Sequence, residues 1–183
     1  MAQYYYLAAS LPMLAFDGPP PLSSPAFLRL CQEQAPEVHA LLERVSFASL
    51  AARAGDPSPW RGYAAWETAL RDELAVQRAQ RLGIDPGPWL RPAPFVADLA
   101  AVVKEALAAG TPLAVETALD RRRWARLDEL EAGGGFGVGR LVAYRLKLLL
   151  LERREAFRAA AAGGAFEREY ARIRPAAPGT PTE

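Results

Sequence analysis

Apolar residues recur along this chain at helical spacing, in segments that open at a proline or a Ser/Thr-Pro pair and mostly close at glycine. Val38, Leu41, Leu42 and Val45 stand at i, i+3, i+4 and i+7, which lines one face of a helix. Pro36 opens that segment, and Gly55 is its expected stop. Upstream, Ser24 and Pro25 form an N-cap and first-turn pair, followed by Phe27, Leu28, Leu30 and Cys31 as an apolar face. Ser58-Pro59 repeats the signal for a helix carrying Tyr63, Trp66, Leu70 and Leu74, with Gly83 as a C′ stop. Phe95–Ala109 reads as a helix with Leu99, Val102, Val103, Ala106 and Leu107 on one face. Thr111-Pro112 starts the next, running to about Ala132, with Leu113, Glu116, Leu119 and Leu127 near one face and Trp124 beside them. Arg140–Ala161 is the last long helix, and a short piece is expected around Phe166–Tyr170.

The connections are equally legible. Residues 4–16 are aromatic and apolar and read either as a short strand or as the first turn of a buried segment. Three successive prolines keep 17–22 extended. Four prolines and a glycine in 85–94 mark a boundary. The chain is thus expected to be all-α: about six helices in two small packed bundles, with an N-terminal half (1–83), a Pro-rich linker (84–94), a C-terminal half (95–173) and a disordered tail (174–183). No fixed-period repeat is present.

Composition narrows the function classes. The net charge is +1, from 22 basic and 21 acidic residues, without the basic excess of a nucleic-acid binder. The single cysteine, Cys31, makes no internal disulfide and suits a reducing compartment. The opening MAQYYYLAASLPMLAF lacks a basic n-region and reads as mature structure rather than a signal peptide. Leu141–Leu151, the most apolar stretch, is interrupted by Arg145 and Lys147 and falls short of the ~20 residues a membrane span needs. A cytoplasmic location without direct membrane insertion is expected.

Catalytic and cofactor signals are weak. The glycines of 133–139 follow a helix rather than a strand and fit neither GxGxxG nor GxxxxGK[ST], so they read as a hinge or loop. The lone histidine, His39, has no ligand partner at metal spacing, and Cys31 lies on an apolar face with no base in sight. No catalytic residue, metal or cofactor is assigned, and the chain is read as a non-enzyme.

Charge patterning is more specific. Glu67 and Arg71 stand at i, i+4 beside Tyr63, Trp66 and Leu70; they form either a surface ion pair or an acid–base pair lining a docking groove. The last helix is apolar around nearly its whole circumference, so it should be buried on several sides. Yet Arg140, Lys147 and Arg154 recur along it every seven residues as a basic stripe. Lys147 requires either a carboxylate, with Glu67, Glu116 and Asp120 as candidates, or a snorkelling path to water.

Four segments together carry a family resemblance. They are Tyr4-Tyr5-Tyr6-Leu7-Ala8-Ala9-Ser10-Leu11-Pro12, Phe27-Leu28-x-Leu30-Cys31, Trp66-Glu67-x-x-Leu70-Arg71 and Val142-Ala143-Tyr144-Arg145-Leu146-Lys147-Leu148. Over residues 4–158 the chain resembles a bacterial family of unknown function encoded beside V-type ATP synthase genes. That family is distantly similar to the C-type cap protein of the synthase (d-type in eukaryotes), the all-helical element between central stalk and membrane ring. The C-type cap is considerably longer, so this chain would supply one helical module or a compressed pair. The resemblance implies a non-catalytic accessory or C-type-cap-like component of a V/A-type ATP synthase, reaching the inner membrane only through its partners on the central stalk or membrane ring. Ion transport would belong to that assembly. The expected partner-binding residues are Glu67, Arg71, Arg140, Lys147 and Arg154, with Tyr4, Tyr5 and Tyr6 as a packing anchor. The alternatives are a transient assembly factor or regulator of the same complex, and a small-molecule-binding helical bundle.

Overall fold

A computed structural model describes residues 4–133 and 135–162. Within them are seven α-helices, one 3₁₀ turn at Gly87–Trp89 and no strand, so the fold is all-α. The expected piece at 166–170 and the tail from 174 lie outside the described residues.

The helices are α1 (Tyr5–Ser10), α2 (Ser24–Gln34), α3 (Pro36–Arg44), α4 (Ser58–Leu82), α5 (Leu99–Leu107), α6 (Pro112–Gly133) and α7 (Val138–Ala162). Their starts follow local chemistry. Thr111 caps α6 by accepting the Ala114 N–H at 3.2 Å, and Pro112 occupies the first turn. Gly83 ends α4 at φ +66°, a left-handed conformation that costs glycine little; the Ile84 N–H then closes on the Ala79 carbonyl.

Three boundaries differ from the expectation. Ser23, not Ser24, caps α2 through the Ala26 N–H. Ser24 is free for another role, because its N–H and hydroxyl both donate to the Glu152 carboxylate of α7 at 2.5 Å. Helix α3 ends at Arg44, well before Gly55. Asp56 draws the chain back there: its carboxylate accepts from Arg44 at 2.8 and 3.3 Å and from the Arg53 N–H at 2.8 Å. Helix α5 begins at Leu99 rather than Phe95. Pro92 and Pro94 hold the preceding backbone extended, and the Arg91 N–H fastens it to Asp72 of α4 at 3.1 Å.

Residues 4–16 are neither strand nor a single turn throughout: 5–10 form the short helix α1, and the rest is irregular. The Tyr4 N–H donates to the Phe136 carbonyl at 2.8 Å, which ties this segment to the glycine-rich connection between α6 and α7.

Helix α7 is the axis of the molecule. It is met by α2, α3, α4 and α6, and Leu141, Val142, Ala143, Leu146, Leu148 and Leu150 have no solvent exposure. The apolar circumference read in the sequence is therefore accounted for by burial on several sides. One continuous hydrophobic cluster runs from Tyr4 and Leu7 through Phe27, Leu42, Trp60, Leu70 and Val103 to α7, with contributions from both sides of the 84–94 segment.

Candidate docking seam and buried charge network

Helices α6 and α7 run antiparallel, and the basic stripe of α7 lies along the seam between them. Arg140 reaches Glu131 at 3.6 Å. Lys147 lies in the middle, only 7% exposed, with its Nζ 2.5 Å from Glu131, 2.6 Å from Asp128 and over the Trp124 ring at 5.3 Å. Arg154 meets Asp17 at 3.2 Å. Lys147 thus takes carboxylate partners, but not those expected. Antiparallel pairing brings 128 and 131 beside 147, whereas Glu116 sits near the opposite end of α6 with Arg78 at 3.9 Å. Glu67 and Asp120 are held by Arg123 instead.

Residues 8–14 form the other wall of the seam. Leu11, Pro12 and Met13 face Asp128, Glu131, Arg140 and Lys147 across an open cleft of about 390 Å³. Tyr144 closes its floor by donating its hydroxyl to the Pro12 carbonyl at 3.0 Å. Burial, with the nearby Glu131 carboxylate, pushes the Tyr144 hydroxyl up to about 12.

The three N-terminal tyrosines separate. Tyr4 is buried, and its hydroxyl is raised by burial and by Glu37. Tyr5 points outward and packs on Phe136 with ring centroids 4.6 Å apart, and Tyr6 stands edge-on to Tyr5 at 5.8 Å. Arg140 approaches the same Phe136 ring at 5.3 Å. Arg140, Lys147, Tyr5 and Tyr6 therefore belong to one neighbourhood.

Glu67 and Arg71 belong to another. Glu67 has no solvent exposure. Its carboxylate accepts from Arg71 Nε at 2.8 Å and from Arg123 Nε and Nη2 at 3.0–3.2 Å. Arg123 also donates to Asp120 at 3.0 Å, and Asp120 pairs closely with Arg153 of α7. Arg71 extends the chain to the Phe47 carbonyl at 2.8 Å. The network joins α4, α6, α7 and the 45–57 segment inside the fold; Glu67 offers no surface to a partner. Burial works against the charge on Arg123, but Glu67 and Asp120 outweigh it and raise its pKa. The adjacent Tyr63 hydroxyl is buried without a hydrogen-bond partner among the described residues and is held well above its ordinary value, by burial first and Glu67 second.

Arg123 and Glu131 were not singled out from sequence. A signal for Arg123 existed: it stands between Leu119 and Leu127 at four-residue spacing, on the buried face of α6. Asp128 and Glu131 carried no such mark.

Cys31 is fully buried beside Arg145; burial pushes its thiol up to about 12, against the opposing pull of that arginine. His39 lies 3.8 Å from Glu43 on α3. Among the described residues no group of three or more His, Cys, Asp or Glu side chains is arranged to hold a metal ion, and no helix is long and apolar enough to cross a membrane. No family model, curated protein or solved structure matches the chain.

Proposed function

We propose that this chain is a non-catalytic accessory component of a bacterial V/A-type ATP synthase, similar to its C-type cap, which acts by docking helical surface onto a protein of the stalk or ring. The partner follows from the resemblance carried by residues 4–158. The mode of action is supported by one observation: large apolar side chains are held outward on stiff segments. Phe95 and Met13 are each 92% exposed and follow Pro94 and Pro12, and Tyr6 is 86% exposed on α1. Covering such a side chain on docking is worth roughly 1.5–3 kcal/mol. Most of the charged stripe is already paired within the fold, so the contact relies on these apolar groups, with the half-paired Arg140 in the same cleft as Met13.

The test is affinity capture of the tagged full chain from its native cells after mild cross-linking, read by mass spectrometry. Recovery of synthase components in a fixed ratio supports the reading. Their absence from the cross-linked material overturns it.

A further inference from the structure

The α6–α7 seam changes character beyond Trp124. Toward Phe136, two carboxylates serve Arg140 and Lys147. Toward the end of α7, among the described residues, Arg121, Arg154 and Arg158 have two carboxylates between them, Asp17 and Glu155. The Phe16 ring packs against Trp124 at 5.5 Å and is clasped by two guanidinium groups, Arg154 at 3.7 Å and Arg121 at 4.6 Å. Those two arginines share one carboxylate, Asp17, at 3.2 and 3.4 Å. Asp17 is itself 66% exposed and Arg121 60% exposed. Arg154 is mostly buried, yet its Nε and Nη1 have no acceptor among the described residues. Among the described residues, Arg158, one turn further on, has only Glu155 of its own helix, at 3.3 Å. Burial and the like charges of Arg158 and Arg121 depress the pKa of Arg154, with Asp17 opposing them.

We propose that Arg121 and Arg154, stacked on Phe16, together with Arg158 one turn further along α7, form a docking site for an acidic segment of a partner protein. A guanidinium presents five donors in a planar fork suited to carboxylates, and those of Arg121 and Arg158, 60% and 46% exposed, are open to an incoming one, while Arg154 adds its charge from beneath. Asp17 acts as a weak internal occupant that the partner's carboxylate displaces or joins. A polyanion such as RNA, or an anionic lipid surface, fits less well. Each needs a broad basic field, whereas Asp17 and Glu155 interrupt this patch and the whole chain carries a net charge of only +1. The site rests on the docking reading above only in taking a protein as the partner.

The experiment is fluorescence anisotropy of the full chain with a labelled peptide of interspersed Glu, Asp and Leu, against the same peptide with Gln and Asn at the acidic positions. Phosphatidylglycerol vesicles and oligouridylate serve as competing probes. The acidic peptide is expected to bind in a salt-sensitive manner and the amide peptide not to bind. R121Q, at an exposed position, should weaken binding about threefold, and D17N, which frees both guanidiniums, should strengthen it by a similar factor. Circular dichroism confirms that both variants are folded. Equal binding of the two peptides, no binding of either, or a D17N variant that binds more weakly overturns the site, as does tighter binding of vesicles or RNA. Loss of the site with synthase components still captured from cells removes this inference alone.

Discussion

Arg123 of α6 places its Nε 3.0 Å from Oε2 of Glu67 on α4, and Glu67 has no contact with solvent. Each charge is tolerable inside the fold because it is paired, Glu67 with Arg123 and Arg71, and Arg123 with Glu67 and Asp120. Removing one partner should therefore cost far more than a surface pair is worth: about 3–5 kcal/mol for Glu67→Ala, since Arg123 is left buried with Asp120 alone. Replacing both residues with methionine should recover part of that loss, because Asp120 keeps Arg153 and the one charge left without its carboxylate, Arg71, is a third exposed. Urea denaturation of the two single variants and the double variant measures this. Equal destabilisation by the single and double replacements would show that packing, not charge, dominates the position.

What was legible in the sequence divides along a physical line. Helix α7 was plain because Leu141 to Leu151 are apolar around nearly the whole circumference, interrupted only at Arg145 and Lys147, a property of the segment itself. Thr111-Pro112 and Gly83 were plain because caps act within one turn. The end of α3 was not, because it depends on Asp56 folding back onto Arg44 across a loop of no regular pattern. The Glu67–Arg71 pair followed from i, i+4 spacing, but its burial depended on Arg123 arriving from another helix. The partners of Lys147 were equally hidden: Asp128 and Glu131 become neighbours only once the antiparallel register of α6 and α7 is set.

Alkaline conditions should weaken the fold before they affect most surface groups. Burial raises the Cys31 thiol from 9.0 to about 12, the Tyr144 hydroxyl from 10.0 to about 12, and Tyr63 well above 10.0. The unfolded chain releases these protons first, so it binds fewer protons than the native state in that range. Stability is then fully present below about pH 9 and is lost as pH rises toward 12. Urea midpoints at about pH 8 and about pH 10.5 should show the fall. Cys31→Ala should flatten its lower part, and a midpoint that holds or rises with pH would contradict the assignment. The same thiol should react with Ellman's reagent only on unfolding.

Glu152 ties α7 to the start of α2 by accepting from both the N–H and the hydroxyl of Ser24. It is also the carboxylate that most favours the charged form of the buried Arg145. Glu152→Ala removes both services and should destabilise by roughly 1–3 kcal/mol. Ser23→Ala, which removes only a long cap bond of 3.3 Å, should cost about 1 kcal/mol or less. Thermal melts rank the two. Hydrogen exchange adds a local reading, because the first-turn amides of α2 should lose protection in the Glu152 variant even under conditions where the global fold persists.

The outward aromatic and apolar residues make the opposite prediction. Phe95, Met13 and Tyr6 are almost fully exposed, so serine at any of them should change the urea midpoint very little, by about 0.5 kcal/mol or less. If they form the docking surface, Phe95→Ser and Tyr6→Ser should each reduce capture of synthase partners from cells, because a large apolar anchor contributes about 1–3 kcal/mol at an interface. The two sites are supported by different elements, Tyr6 on α1 and Phe95 in the segment before α5. A partner that loses binding only in the Tyr6 variant therefore sits on the α6–α7 seam, and one that responds only to Phe95 sits against α4 and α5. Unchanged capture by both variants, with folding intact, would exclude these side chains as the contact and leave the charged end of α7 as the surface to pursue.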